Sequence, residues 1–165
     1  MGRHEVNDGV FDAKMLSLGR LNFLASYCPL HKNFPASALA RLFAPAINHD
    51  CVRFFNNEQG RVCAALIWAR LSNQISERMI FDQIPPSEKD WASGENLWFL
   101  DVLAPFDHGR IVARHVARNP PPEPFYFARL GKTGAVRKVV RGDATAKGRG
   151  QVKSFFVDSD MKMQN

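Results

Sequence analysis

The sequence predicts a mixed α/β (α+β) domain in which a largely antiparallel sheet carries helices on its faces. Segments with apolar residues three and four apart alternate with short runs rich in β-branched and aromatic residues. Their order is helix, helix, strand pair, helix, strand, helix, strand pair. The chain of 165 residues suits one domain with a substantial core, and no linker or internal repeat divides it. We therefore expect residues 1–165 to form a single domain.

Two helices and a hairpin are predicted in the first half of the chain. The first helix covers 10–27 and stops before Pro29, and the second covers 36–47 and is broken near Pro45. Residues 51–71 then form a hairpin around a glycine-containing turn. The apolar stripe that makes the first helix amphipathic consists of Phe11, Met15, Leu18, Leu21 and Leu24.

The second half of the chain repeats the same two patterns. Ser72 stands in cap position for a helix over 72–81, and the most apolar strand covers 97–106. After Gly142 the composition shifts to Gly, Lys, Ala and Arg, so we expect a basic, loop-like tail from about residue 143, with KGRGQ as loop. The other elements expected are a helix over 109–119 and two strands over 125–130 and 135–142, joined by the turn GKTG.

Positive charge is concentrated in the last third of the chain. The net charge is +6, yet residues 109–153 hold eleven Lys and Arg against two acidic residues. Such a segment indicates an acidic partner, which charge alone leaves open among nucleic acid, anionic lipid and acidic protein. The longest apolar run, 62–69, is far shorter than the ~20 residues that cross a bilayer, so we expect no stable membrane insertion.

Composition and motifs also narrow the location and chemistry. Three cysteines without CxxC spacing, and a charged N-terminal segment where a secretory signal would be apolar, indicate reduced thiols in a cytoplasmic protein. No set of ligands has recognisable metal spacing, so no metal is expected. The motifs GxxxxGK[ST], GxGxxG and GxSxG do not occur, which disfavours phosphate-loop nucleotide binding and serine-hydrolase chemistry.

Asp101 interrupts the most apolar run of the chain, LWFLDVLAPF. A carboxylate removed from water without a partner costs several kcal/mol or becomes protonated. On a regular strand Asp101 would share a face with Leu97, Phe99 and Leu103. Two interpretations stay open: a solvated strand-end carboxylate or one that caps a nearby backbone amine, and a carboxylate held in a cleft to orient a base or stabilise a cation.

His31 lies between two prolines in SYCPLHKNFP, a short connection between the first two helices. Loops held by rigid elements often carry catalytic residues, although a lone histidine can equally be a surface or core residue. Cys28, three residues earlier, raises the alternative of a Cys/His nucleophile, against a small buried apolar thiol.

Three segments taken together resemble one protein family. They are CPLHKNFP (28–35), the Trp68–Ala69 step in the hairpin, and WASGENLWFLDVLAPFDHG (91–109). This pattern is similar to that of the RTX toxin-activating lysine acyltransferases. The resemblance implies a GNAT-like acyltransferase fold with no bound cofactor, and transfer of a fatty acyl group from acyl–acyl carrier protein, a phosphopantetheine thioester, to internal lysines of an RTX protoxin. It also implies that the catalytic residues are His31 and Asp101.

The implied chemistry leaves two mechanisms open. His31 either accepts the proton of the lysine amine while Asp101 fixes its tautomer, or takes the acyl group itself. Because acyl carrier protein is acidic, we expect Arg110, Arg114 and Arg118, spaced by four on one helix, to bind it; a solvated helix face is the alternative. Homodimerisation stays open.

Two other functions are alternatives to lysine acylation. A CoA-dependent N-acyltransferase of another substrate would need a glycine-rich turn for the pyrophosphate after the central strand, and DHG at 107–109 is only a partial substitute. A basic nucleic-acid-binding module would use the C-terminal tail, but aromatic residues are not interleaved with it beyond Phe125, Tyr126 and Phe127. We therefore expect no nucleic-acid partner.

Overall fold

The computed structural model describes residues 8–131 and 134–157. Four α-helices are present there: α1 (Asp8–Tyr27), α2 (Ala36–Asn48), α3 (Asn73–Phe81) and α4 (Gly109–Arg118). Two 3-10 turns cover Glu88–Asp90 and Gly148–Gln151. The strands are β1 (Val52–Asn56), β2 (Val62–Leu71), β3 (Asn96–Leu103), β4 (Phe125–Leu130), β5 (Val136–Gly142) and β6 (Val152–Phe156).

The strands form one six-stranded sheet in the order β1-β2-β3-β4-β5-β6. Every neighbouring pair is antiparallel except β3 and β4, which run parallel. A parallel pair needs a crossover connection, and α4 supplies it. The predicted mixed, mostly antiparallel sheet flanked by helices is therefore confirmed, and it is consistent with the GNAT-like fold that the resemblance implies.

Most predicted elements are found within a few residues of their expected bounds, with two differences. Helix α2 is not broken near Pro45 but continues through it to Asn48, because proline removes only one helical hydrogen bond and this proline lies in the last turn. Strand β3 ends at Leu103, ahead of Pro105, which has no N–H for the ladder. The two central residues of the turn GKTG lie outside the described residues.

The tail from about residue 143 differs from the loop that its composition suggests. A 3-10 turn over Gly148–Gln151 leads into β6, which pairs with β5 from Gly142↔Val152 to Lys138↔Phe156. The sequence signal was weak because Val152–Phe156 is short and follows a segment rich in glycine and lysine. The neighbouring strand, rather than intrinsic propensity, accounts for the extended conformation.

The two faces of the sheet are covered differently. The filled face, as we call it, carries Ile67, Ala69 and Leu71 of β2 against buried side chains from α1, α2 and α3, including Leu24 and Phe43. The open face packs against α4 through a smaller cluster, which includes Leu66 of β2 and Val112 of α4. The sheet is thus buried on the side of the first three helices and only partly covered by α4 on the other.

Helix α1 packs along only part of its length. Leu21 and Leu24 are fully buried, whereas Phe11 and Met15 are 58% and 56% exposed. The predicted apolar stripe therefore faces the core only in the C-terminal half of the helix.

Candidate active site

A β-bulge in β3 determines where Asp101 points. Ile67 pairs with Asp101 and Trp68 pairs with Phe99, so Leu100 has no opposite residue. Cross-strand partners share a face, and Ile67 belongs to the filled face. The prediction that Asp101 shares a face with Phe99 is therefore wrong. The extra residue reverses the alternation of side chains between the two faces of the sheet. Asp101 therefore points towards the filled face, as Leu103 does.

The turn between α1 and α2 holds His31 opposite that carboxylate. The backbone N–H groups of His31 and Lys32 both donate to the carbonyl of Cys28, and Phe34 N–H donates to the carbonyl of His31. These bonds give the connection a compact helical-turn geometry between its prolines. The imidazole lies edge-on to the ring of Phe34 and near Phe43, and His31 is only 4% exposed.

His31 and Asp101, which sequence reasoning singled out separately, form a direct pair. Nε2 of His31 donates to Oδ2 of Asp101 at 2.8 Å, with the histidine side chain 5% and the aspartate side chain 20% exposed. Because Nε2–H is engaged by the carboxylate, the lone pair of the neutral imidazole lies on Nδ1. Nδ1 is buried and has no hydrogen-bond partner in the described part of the chain. The arrangement is that of a base oriented by a carboxylate, with Nδ1 left to accept a proton.

Cys28 lies beside this pair without the properties of a nucleophile. Burial raises the pKa of the Cys28 thiol and the charge of Asp101 raises it further, while a hydrogen bond from the Ala104 backbone offsets part of this. A raised pKa keeps the thiol protonated, whereas nucleophilic cysteines have lowered values. The geometry therefore favours a small buried residue over a Cys/His nucleophile.

A fork in the sheet opens next to Asp101. The parallel strands β3 and β4 pair only from Leu97↔Phe125 to Phe99↔Phe127, although both strands continue beyond these residues. The gap between the diverging ends, which we call the fork, opens into a cavity of about 910 Å³ between the sheet and α4. Asp101 and Leu30 lie at one side of this cavity, so it adjoins the His31 turn.

Apolar groups dominate the walls of the cavity. Helix α4 presents Val112, Ala113, Val116 and Ala117, and the sheet presents Phe99, Phe125 and Phe127. A concave, apolar space lined by the carboxylate of a histidine–carboxylate pair can hold a hydrocarbon chain with its reactive end near the base. The arrangement therefore suits acyl transfer.

Comparison with known proteins agrees with this chemistry. The sequence model of the RTX toxin acyltransferase family matches residues 12–144. The chain belongs to this family. Its relatives include the protein-lysine myristoyltransferase HlyC of Escherichia coli, 30% identical over 122 residues that cover 74% of this chain and 70% of the relative. The protein-lysine myristoyltransferase RtxC of Kingella kingae is 28% identical over 155 residues, 92% of this chain and 84% of the relative.

A third relative is similar over a shorter length. The lysine-acyltransferase RtxC of Vibrio cholerae is 29% identical over 102 residues, covering 62% of this chain and 67% of the relative. Family membership confirms the resemblance read from the histidine turn and the strand block. This chain is accordingly an acyltransferase.

The three arginines proposed for carrier binding lie on one exposed side of α4. Arg110, Arg114 and Arg118 are exposed, and none of them forms an ion pair within residues 8–131 and 134–157. On a helical wheel Arg110 is adjacent to Ala117, which lines the cavity. The acyltransferase therefore carries exposed positive charge on the side of α4 next to the one that lines the cavity.

Sequence reasoning missed the residues that form the cavity. Phe99, Phe125 and Phe127 looked like ordinary strand residues, and the alternation FYF at 125–127 was the available signal. That alternation puts both phenylalanines of β4 on one face, while Tyr126 stacks on Trp98 of the filled face. What the sequence could not supply was the divergence of β3 from β4, which creates the space.

Two further observations bear on the site of the acyltransferase. Within the described residues, no group of three or more His, Cys, Asp and Glu side chains is placed to hold a metal ion. None of the described helices combines the length and apolar character needed to cross a membrane.

Proposed function

We propose that this acyltransferase moves a fatty acyl chain from the thioester of acyl–acyl carrier protein to the ε-amino group of internal lysines in an RTX protoxin. The observation that carries the proposal is the 2.8 Å pair of His31 and Asp101, with Asp101 lining an apolar cavity. The relatives are named lysine acyltransferases and myristoyltransferases, and these names support the same reaction.

The reaction has one principal obstacle, the protonated state of the acceptor. A lysine amine of pKa ~10.4 is almost fully charged at neutral pH, and freeing its lone pair costs about 4.6 kcal/mol. Removing that proton is the task of a general base. The amine nitrogen then forms a bond to the thioester carbonyl carbon, the carbon–sulfur bond breaks, and the pantetheine thiolate leaves and takes up the second proton that the nitrogen loses as the amide forms.

His31 is the base in this proposal, acting through Nδ1. Its Nε2–H is held by Asp101, so only Nδ1 can accept the amine proton, and Asp101 stabilises the imidazolium that results. Nδ1 is buried in the free protein, so substrate binding has to open access to it. A pantetheine thiol, with a pKa near ~8.5, leaves with little acid assistance.

The donor occupies the open face. We assign the acyl chain to the cavity under α4 and the carrier protein to the adjacent side of α4 that carries Arg110, Arg114 and Arg118. The acceptor lysine approaches from the side of the His31 turn, where Leu30 and Phe34 are about half exposed. The unpaired thiols of Cys28, Cys51 and Cys63 suit a cytoplasmic location for this reaction.

The test is mass spectrometry of an RTX protoxin co-expressed with the wild type, with His31→Ala or with Asp101→Asn. We expect fatty-acyl mass increments on internal lysines with the wild type and a loss of about 10²–10⁴-fold in transfer rate with either variant. His49→Ala and Asp82→Asn, at exposed positions with the same chemistry, serve as matched controls and should acylate normally.

Two outcomes would contradict the proposal. Full transfer by both variants would remove His31 and Asp101 from the mechanism. Transfer from acyl-CoA that equals or exceeds transfer from acyl–acyl carrier protein, measured with purified donors, would favour a CoA-dependent N-acyltransferase instead.

A further inference from the structure

A cluster of phenylalanines lines the cavity. The rings of Phe99 and Phe125 lie 4.9 Å apart between centroids, and both line the cavity together with Phe127. Phe125 pairs with Leu97, four residues before Asp101 on β3. At ~3.3 Å per residue, the ring therefore lies roughly 13 Å along the strand from the level of the catalytic carboxylate.

The ring of Phe125 rests directly on the backbone of Gly142, its cross-strand partner on β5. A Cβ atom added at position 142 would lie 2.3 Å from Cζ, 2.7 Å from Cε1 and 2.8 Å from Cε2 of that ring. Gly142 is absent from the residues with positive φ, so its backbone accepts an L side chain. Glycine is needed here for the space it leaves, not for its conformation.

The contact between Gly142 and the Phe125 ring determines how far the ring projects into the cavity. Both Phe125 and Gly142 line the cavity, so the missing Cβ would point out of the sheet on the cavity side. Any side chain at position 142 has to lift the ring away from the sheet, in the direction of α4, and so into the space available to a ligand. Conversely, a smaller side chain at position 125 opens the same space.

We propose that Phe125, seated on Gly142, limits the length of acyl chain that the enzyme accepts. The inference rests on the proposed function, because it assumes that the cavity holds the acyl chain with its thioester at His31 and Asp101. It adds a residue pair that determines donor specificity without taking part in the chemistry. Each methylene group that gains or loses its place is worth about fourfold in relative affinity.

The test is a chain-length profile measured with acyl-pantetheine thioesters from octanoyl to octadecanoyl. Both binding, followed by calorimetry, and transfer to a protoxin lysine are recorded. Gly142→Ala should shift both profiles to shorter chains, and Phe125→Leu should shift them to longer chains, by about fourfold per methylene group. The double variant Gly142→Ala/Phe125→Leu should return towards the wild-type profile, since the smaller side chain leaves room for the new methyl group.

Matched controls distinguish an effect on chain-length selection from a general loss of packing. Gly19→Ala has open space around its Cβ, and Phe54→Leu lies on β1, away from the cavity lining; neither should move the profile. Equal losses at every chain length in both test variants would overturn the inference and leave Phe125 a purely structural residue. If the wild type binds chains with the expected profile but acylates no lysine, the proposed function fails, while the role of Phe125 in chain-length selection is supported.

Discussion

The filled face and the open face of the sheet differ in what their side chains do. On the filled face, Trp98 is fully buried, donates from Nε1 to Ser76 at 2.9 Å and stacks on Tyr126. On the open face, one residue further along β3, Phe99 is half-buried and lines a cavity of about 910 Å³. One strand thus contributes to a close-packed core with one side and to a binding space with the other.

A second contrast is that between two carboxylates, the buried Asp90 and the partly buried Asp101. Asp90 accepts hydrogen bonds from Ser87 N–H, Ser87 Oγ and Arg78 Nη2, all within 2.9 Å. Asp101 has the imidazole of His31 as its one ion-pair partner among the described residues, at the edge of the fork. A carboxylate saturated by neighbours stabilises a fold, whereas one with spare acceptor capacity beside a base can serve a reaction.

The difference between the faces is tested most strongly by two leucines of β2. Leu71 is fully buried in the filled face, and Leu66 is buried in the open face but borders the cavity. We expect Leu71→Ala to cost about 3–5 kcal/mol in the free energy of unfolding and Leu66→Ala about 2 kcal/mol, because a side chain beside a void loses fewer contacts. Urea denaturation measures both, and equal losses would contradict the distinction.

The periodic elements, and the two residues His31 and Asp101 as candidates, could be predicted from local sequence. Each strand and helix through Gly142 has its own apolar pattern, and Asp101 stood out because a carboxylate is costly in an apolar strand. Family resemblance linked His31 to it, since residues 70 positions apart leave no local signal of contact.

Three features depended on non-local pairing and escaped prediction. The unpaired Leu100 reverses the faces of β3, and only its register with β2 reveals this. Strand β6 is specified by the edge of β5 rather than by its own composition. The cavity arises from where β3 and β4 part, which no single segment encodes. Tertiary context determined each of them.

A charge reversal on α4 should sharpen the comparison by changing function without changing stability. With Arg110, Arg114 and Arg118 all replaced by Glu, we expect kcat/KM for acyl–acyl carrier protein to fall about tenfold or more at low salt. The deficit should shrink as ionic strength rises and screens the encounter. Initial rates against carrier concentration at several salt concentrations measure this, with acyl-pantetheine as a donor that lacks the acidic carrier.

The control for that experiment carries the same change in net charge elsewhere. It reverses three exposed cations on other surfaces, namely Arg41, Arg61 and Lys89. Unchanged donor kinetics in the α4 variant would show that the α4 surface does not bind the carrier. An equal deficit in the control would show that total charge matters and the α4 surface does not.

The smallest effect concerns Asp90 and its dependence on pH. Hydrogen bonds from the Ser87 side chain and backbone, followed by Arg78, hold the pKa of Asp90 below its ordinary value of 3.8. Because the folded-state pKa is lowered, the resulting stability is fully present above pH 3.8 and is lost as the pH falls through the lower folded value. Asp90→Asn should therefore cost about 1–2 kcal/mol at neutral pH, and the difference from the wild type should narrow in acid.

Denaturation curves of both proteins from neutral pH down to about pH 2 measure that difference, since the window follows from the lowered carboxylate pKa. Asp82→Asn, at the exposed end of α3, is the matched control and should track the wild type. A cost of Asp90→Asn that is independent of pH would mean that shape rather than charge matters at this position. Asp90 would then resemble an ordinary polar core residue.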